Sequence, residues 1–151
     1  MNATTGTVVL DRLIGAVNAH DLDRLVGQFA DDVRSDTPAH PGRSFVGSDQ
    51  VRRNWSQILG SIRDLEARIL ASATTARSNG ASTEWAEIAF DGRRPDGAPW
   101  RMRGVTVNEV VDDRIVALRF YLEPVDDAPV GADAAVRTIT AGSATAAGTG
   151  R

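Results

Sequence analysis

Cysteine and lysine are both absent from this chain of 151 residues. Without cysteine there can be no disulfide, no thiolate zinc site and no thiol nucleophile. All 17 basic residues are arginines, and the chain is also rich in alanine, glycine and aspartate. This bias is typical of a high-GC coding sequence. An arginine in the sequence is therefore not, by itself, a sign of a functional site.

Long hydrophobic runs and a strong net charge are also missing. No stretch approaches the roughly 18 apolar residues of a membrane span, and the first residues lack a basic region followed by an apolar run. The 17 basic and 20 acidic residues are mixed along the chain, for a net charge of −3. This mixture provides no basic surface for nucleic acid. We expect one soluble, cytoplasmic domain with neither a nucleic-acid nor a membrane partner.

Apolar residues in segment 10–38 recur at helical spacing. The pattern i, i+3, i+4, i+7 occurs twice, in Leu10, Leu13, Ile14, Val17 and again in Leu22, Leu25, Val26, Phe29. This spacing predicts two amphipathic helices. Only a few residues separate them, and Asp21 can cap the second helix, so we expect a tight helical hairpin. The acidic run at 30–32 is predicted to end the second helix.

The rest of the chain predicts one more helix and then a series of strands. A third helix begins near Ser48, which can act as its cap. From Leu65 the apolar period changes to two, which indicates strands at 65–73, 81–90, 100–111 and 114–122, with a tight hairpin at Asp112 and Asp113. The order predicts an α+β fold with an antiparallel sheet. Residues 1–125 are expected to form this domain. The small-residue tail 126–151 is expected to be disordered.

Three segments of the chain resemble the nuclear transport factor 2 superfamily, in particular its SnoaL-like and ketosteroid-isomerase-like branches. They are the opening NAHDLDRLVGQFADDV, the segment HPGRSFVG at 40–47, and the ending at 112–123. The resemblance covers residues 8–124. It implies a cone-shaped, curved antiparallel sheet wrapped around three helices, one apolar pocket, and homodimers formed through the sheet. It does not imply one chemistry, because the superfamily includes isomerases, cyclases, hydrolases and proteins without a reaction.

The catalytic set of the ketosteroid isomerases is not retained. Those enzymes use a carboxylate base with a tyrosine and a protonated aspartic acid. The resemblance places the tyrosine at Leu13, the base at Thr37, and the aspartic acid at Val105 or one residue to either side. Leucine and valine side chains donate no hydrogen bond, and a threonine hydroxyl is a weak base. Isomerisation by that set is therefore not expected.

The catalytic set of the limonene-epoxide-hydrolase-like members is not retained either. Their Asp, Arg, Asp group falls at Phe120, Trp85 and Glu87, so only one ionisable group survives. A lone carboxylate cannot both activate water and protonate the leaving oxygen in one step.

A pocket with one acid remains as the candidate site. Apolarity favours burial of the Ala86, Ile88 and Phe90 face of strand 81–90, whereas the resemblance favours the face of Trp85 and Glu87, and we expect the latter to face the pocket. A carboxyl group among aromatic rings would have a raised pKa, useful for proton transfer, whereas a surface glutamate would only pair with an arginine. His40, in the loop before the third helix, is a second candidate base or ligand contact. The expected substrate-binding residues are Thr37, Trp55, Trp85, Trp100, Met102, Leu118, Phe120 and Leu122.

Two functions remain open from the sequence. The first is a SnoaL-like protein that binds a mainly apolar small molecule, with cofactor-free isomerisation, cyclisation or hydration by Glu87 and His40 if it is an enzyme. The second is a non-catalytic ligand-binding or dimerisation module that uses the outer face of the sheet. Neither implies a cofactor, and two isolated histidines predict no metal site.

Overall fold

The computed structural model describes residues 7–141. The predicted disorder of 142–151 and the predicted extent of the domain over 1–6 lie outside these residues. The helices are Val8–Asn18 (α1), Leu22–Val26 (α2), Ser48–Ser61 (α3) and Ala132–Thr140 (α4), and the strands are Phe29–Asp36 (β1), Phe45–Val46 (β2), Glu66–Ala76 (β3), Ser82–Arg93 (β4), Pro99–Val111 (β5), Arg114–Phe120 (β6) and Glu123–Pro124 (β7).

The helical hairpin forms as predicted, but its second helix is shorter. Asp21 caps α2, its carboxylate accepting the backbone N–H of Arg24 at 3.0 Å. The helix ends at Val26, and the acidic run at 30–32 lies in β1 rather than at a helix end. Phe29 pairs with Ile115 of β6 and is buried there. Burial of Phe29 in the sheet therefore outweighs the helical periodicity that the sequence shows.

Helix α3 starts where the sequence predicts, but through a different residue. Gly47 is its N-terminal cap, with φ of +105°, and Ser48 makes no side-chain capping bond. The N–H of Gly47 donates to the carbonyl of Val33 at 2.8 Å, which ties the start of α3 to β1. A positive φ is inexpensive only for glycine. The backbone of Gly47 therefore fixes where α3 leaves the sheet.

The seven strands form one curled, open sheet that wraps around the helices. The order is β2-β1-β6-β5-β4-β3, with β7 added beside β5. Most neighbours are antiparallel, as predicted, but β1 and β6 pair in parallel. These two strands are joined by most of the chain rather than by a hairpin, so nothing in their connection requires an antiparallel pair. The sheet and helices together are the expected α+β cone.

The turn between β4 and β5 sets which side chains of the two strands share a face, and the face of Ile88 and Phe90 is the one buried in the core. The N–H of Arg94 donates to the carbonyl of Ala98 at 2.9 Å, and the three residues between them close the turn, with Gly97 at φ of +85°. This turn sets Phe90 opposite Met102 and keeps the same register along the whole hairpin. Directly opposed residues of an antiparallel pair lie on the same face. Even-numbered residues of both strands therefore face the helices.

Helix α4 lies in the segment that the sequence predicts to be disordered. None of its residues is buried, and Val136 and Ile139 are 54% and 81% exposed. A helix of this length without buried contacts is marginal in water. Disorder from Asp126 therefore stays a prediction. Across residues 7–141, no helix has both the length and the apolar character needed to cross a membrane.

Candidate functional site: an apolar cavity inside the cone

The cone contains a cavity of about 400 Å³ that is partly open to solvent. Helices α1 and α3 form one side, and the inner face of the sheet forms the other. The apolar lining residues are Leu10, Leu13, Ile14, Val17, Phe29, Phe45, Val51, Trp55, Ile58, Ile88, Phe90, Trp100, Met102, Leu118, Phe120 and Leu122. This volume and composition are those of a pocket for a small organic molecule.

Three aromatic rings of the cavity lining pack together where α3 meets β4 and β5. The ring of Phe90 meets the indole of Trp55 edge-on, with centroids 5.8 Å apart, and lies nearly parallel to the indole of Trp100 at 6.2 Å. Both arrangements are favourable for aromatic pairs. The rings pack against one another and leave the cavity open. Together they form an aromatic wall that a flat apolar ligand could contact.

The polar groups of the lining are almost all neutral. They are Ser35, Thr37, Asn54, Gln57, Thr106 and Asn108, with Arg43 as the one charged residue. Within residues 7–141 no carboxyl group and no imidazole lines the cavity. The wall can therefore donate and accept hydrogen bonds but supplies no acid or base that titrates near neutral pH.

Most of the residues expected to bind substrate lie in the cavity wall. Thr37, Trp55, Trp100, Met102, Leu118, Phe120 and Leu122 all line it. On β5 and β6, the inward positions of these residues follow from the alternation of side chains along a strand. Trp55 lies on the apolar face of α3. Their role in binding stays a proposal.

The prediction that Trp85 and Glu87 face the cavity is wrong. Glu87 is exposed and Trp85 is 43% exposed, both on the outer face of β4. The register sets Glu87 opposite Val105 and leaves the inner face to Ile88 and Phe90. Burying those two side chains costs nothing in desolvated charge, whereas burying Glu87 would. The apolar pattern of the strand therefore outweighs the family alignment.

His40 lies outside the cavity lining. Its Nε2 is 2.8 Å from Oε1 of Glu123, and the two side chains are 38% and 46% exposed. Glu123 belongs to β7, so this contact joins the loop before α3 to the end of the sheet. His40 does not meet Glu87, so the two predicted catalytic residues form no common site.

Comparison with known proteins identifies the family. The sequence model of the SnoaL-like domain matches residues 10–118. This chain belongs to the SnoaL-like family. It matches none of the curated proteins with which it was compared.

Solved structures share the fold of this SnoaL-like chain at low sequence identity. A nuclear transport factor 2-like protein of unknown function from Exiguobacterium is 19% identical over 78% of this chain and 98% of its own, with a TM-score of 0.61. A Mycobacterium tuberculosis protein in complex with estradiol-17beta-hemisuccinate is 18% identical over 84% and 94%, with a TM-score of 0.62. A Catenulispora acidiphila protein with a ketosteroid isomerase-like fold, in complex with trimethylamine, is 16% identical over 78% and 87%, with a TM-score of 0.61.

Among residues 7–141 of the SnoaL-like chain, one acidic side chain is buried, that of Glu84, and it is not one of the predicted site residues. It is 3% exposed, and its carboxylate accepts the backbone N–H groups of Val9 at 3.0 Å and Leu10 at 2.9 Å. Burial raises the pKa of Glu84, while these two hydrogen bonds act to lower it. The helix N-terminus is a favourable place for a negative charge. Glu84 thus holds the start of α1 and does not line the cavity.

Among residues 7–141, no three histidine, aspartate or glutamate side chains come together in a way that could hold a metal ion. Asp31 and Asp32 are exposed on β1.

Proposed function

We propose that this SnoaL-like chain binds a mainly apolar small molecule in its central cavity, and that binding rather than acid-base catalysis is its function. The observation that carries the proposal is an open cavity of about 400 Å³ whose lining holds no carboxyl group and no imidazole among the described residues. Apolar surface removed from water supplies most of the binding energy in such a pocket.

The proposed ligand contacts are of two kinds, apolar and neutral polar. Trp55 and Trp100 would contact a flat ring system, together with Met102, Leu118, Phe120 and Leu122. Thr37, Thr106 and Asn108 would each offer a neutral hydrogen bond that orients the ligand. The two similar structures that contain small organic molecules support binding as a use of this fold.

Catalysis through Glu87 or His40 is not part of the proposal. A general acid or base must reach the reacting proton directly or through one water. Glu87 is on the far side of the sheet, and His40 is engaged with Glu123 outside the lining.

The test is a titration with 2-naphthylacetamide, a neutral arene, followed by calorimetry and by the melting temperature. A ligand of the folded state raises the melting temperature. Leu118→Trp would fill the cavity and should abolish binding. Tyr121→Trp introduces the same side chain at a 41% exposed position and should bind as the parent does. Equal binding by both variants would place the ligand elsewhere and overturn the proposal.

We also propose that two copies associate through the outer face of the sheet. Trp85 and Tyr121 are 43% and 41% exposed, although both are large and apolar. Nearby, Glu109 contacts Arg77 and lies 3.8 Å from Arg119, so the face carries both signs of charge and can complement itself across a two-fold axis.

Sedimentation velocity tests this association. The parent should sediment as a dimer and Trp85→Glu as a monomer. Val8→Glu, which changes a 50% exposed residue of α1 on the helical side of the sheet, should remain a dimer. A monomeric parent would overturn the proposed association without affecting the cavity.

A further inference from the structure

Arg43 is the one charged side chain in the cavity lining. It lies at the end of the short 3₁₀ turn Pro41–Arg43, where its own N–H donates to the carbonyl of His40 at 2.9 Å. The residue is exposed, so its guanidinium keeps contact with water while it borders an apolar space. Arg43 therefore differs from an arginine on the outer surface, because it borders both the solvent and the apolar cavity.

The charge of Arg43 is not neutralised by another side chain. Within residues 7–141 its guanidinium forms no ion pair and no hydrogen bond. His40, in the same loop as Arg43, is engaged with the carboxylate of Glu123.

We infer that the ligand of this cavity carries a carboxylate, which Arg43 binds while the apolar body lies against the aromatic wall. This inference rests on the proposed function and names its ligand class. A guanidinium has paired N–H donors that match the two oxygens of a carboxylate. The other polar residues of the lining are neutral, so no acidic side chain there competes with a bound carboxylate for Arg43.

The test compares 2-naphthylacetate with 2-naphthylacetamide, which share the apolar body and differ in charge. Their affinities are measured by calorimetry on the parent, on Arg43→Gln and on Arg114→Gln. Arg114 is an exposed arginine at the β5–β6 turn, at the opposite end of β5 from Trp100. Its substitution removes one positive charge away from Arg43 and is the matched control. The melting temperature of each variant without ligand verifies its folding.

The parent should bind the acetate about fivefold more tightly than the acetamide, as expected for a partly exposed charged hydrogen bond. Arg43→Gln should remove this preference by weakening acetate binding about fivefold, because it removes the charge that distinguishes the two compounds. Arg114→Gln should retain the preference. Salt at about 0.5 M should weaken the acetate preference in the parent, because salt screens exposed charges.

The outcomes separate this inference from the proposed function. If the parent binds both compounds equally, or if Arg43→Gln keeps the preference, the carboxylate inference is overturned and the apolar cavity stands. If the parent binds neither compound, both the proposed function and the inference fail.

Discussion

The carboxylate of Glu84 accepts the backbone N–H of Leu10 at 2.9 Å, across 74 residues of sequence. It also accepts the N–H of Val9 at 3.0 Å. These two N–H groups belong to the first turn of α1, where no carbonyl within the helix can accept them. The buried acid of β4 therefore serves the packing of a helix on the sheet, and the cavity beside it is left without a carboxyl group.

The first prediction concerns the pH dependence of stability. Burial raises the pKa of Glu84 above its ordinary value of 4.5, so the folded chain retains this proton to higher pH than the unfolded chain does. The stability contributed by the group is complete below the unfolded pKa and is lost as the pH rises through the folded pKa. The free energy of unfolding of the parent, measured relative to Glu84→Gln, should therefore fall as the pH rises from below 4.5 to neutrality.

Urea unfolding at a series of pH values measures this difference. Glu87→Gln is the control, because it removes an exposed carboxylate from the same strand. A difference between the parent and Glu84→Gln that rises with pH would contradict the assignment of burial as the dominant effect on Glu84.

The second prediction concerns Gly104, which lies between the parts of β5 that pair with β6 and β7. It has φ of +155°, and a Cβ atom there would lie 2.2 Å from the carbonyl oxygen of Tyr121. Gly104→Ala should therefore destabilise the fold by more than about 2 kcal/mol. Gly60→Ala, in α3 with open space around it, should instead stabilise by about 0.5–1 kcal/mol. Urea unfolding measures the free energy of unfolding of both variants. Equal effects of the two substitutions would contradict the predicted steric clash at Gly104.

The third prediction concerns the two residues that the sequence offered as catalytic. Glu87→Gln and His40→Gln should each change the affinity for 2-naphthylacetamide by less than about twofold, because neither side chain lines the cavity. Trp100→Ala should weaken binding by more than about tenfold, since it removes an aromatic wall. Calorimetry gives the three affinities. A large loss in Glu87→Gln would show that the outer face takes part in binding.

Much of the architecture can be predicted from local patterns. Apolar spacing indicates the helices, alternation indicates the strands, and Asp112 and Asp113 form the tight turn before β6 with positive φ at both residues. These features depend on near neighbours in sequence, where propensity and period are informative. The end of α2 was misplaced because the partner of Phe29, Ile115, is distant in sequence.

For the orientation of β4, the apolar pattern of Ala86, Ile88 and Phe90 and the family alignment of Trp85 and Glu87 give opposite predictions, and the apolar pattern is the correct one. The length of the turn that contains Gly97 decides the register, and a turn of two or four residues would reverse the pairing of odd and even positions. The hydrogen bonds of Glu84 to α1 also join distant segments. Arg43 carried no signal in an arginine-rich sequence, since only its place beside the cavity distinguishes it from the other arginines.

The central claim is that a ligand lies inside the cone, and the three tryptophans allow it to be measured. Trp55 and Trp100 line the cavity, whereas Trp85 lies on the outer face. The measurement is tryptophan fluorescence during titration with 4-nitrotoluene, a neutral contact quencher. We predict saturable quenching in Trp85→Phe. In the double variant Trp55→Phe/Trp100→Phe we predict no saturable quenching. Saturable quenching of Trp85 in the double variant, or only linear quenching in Trp85→Phe, would contradict the account.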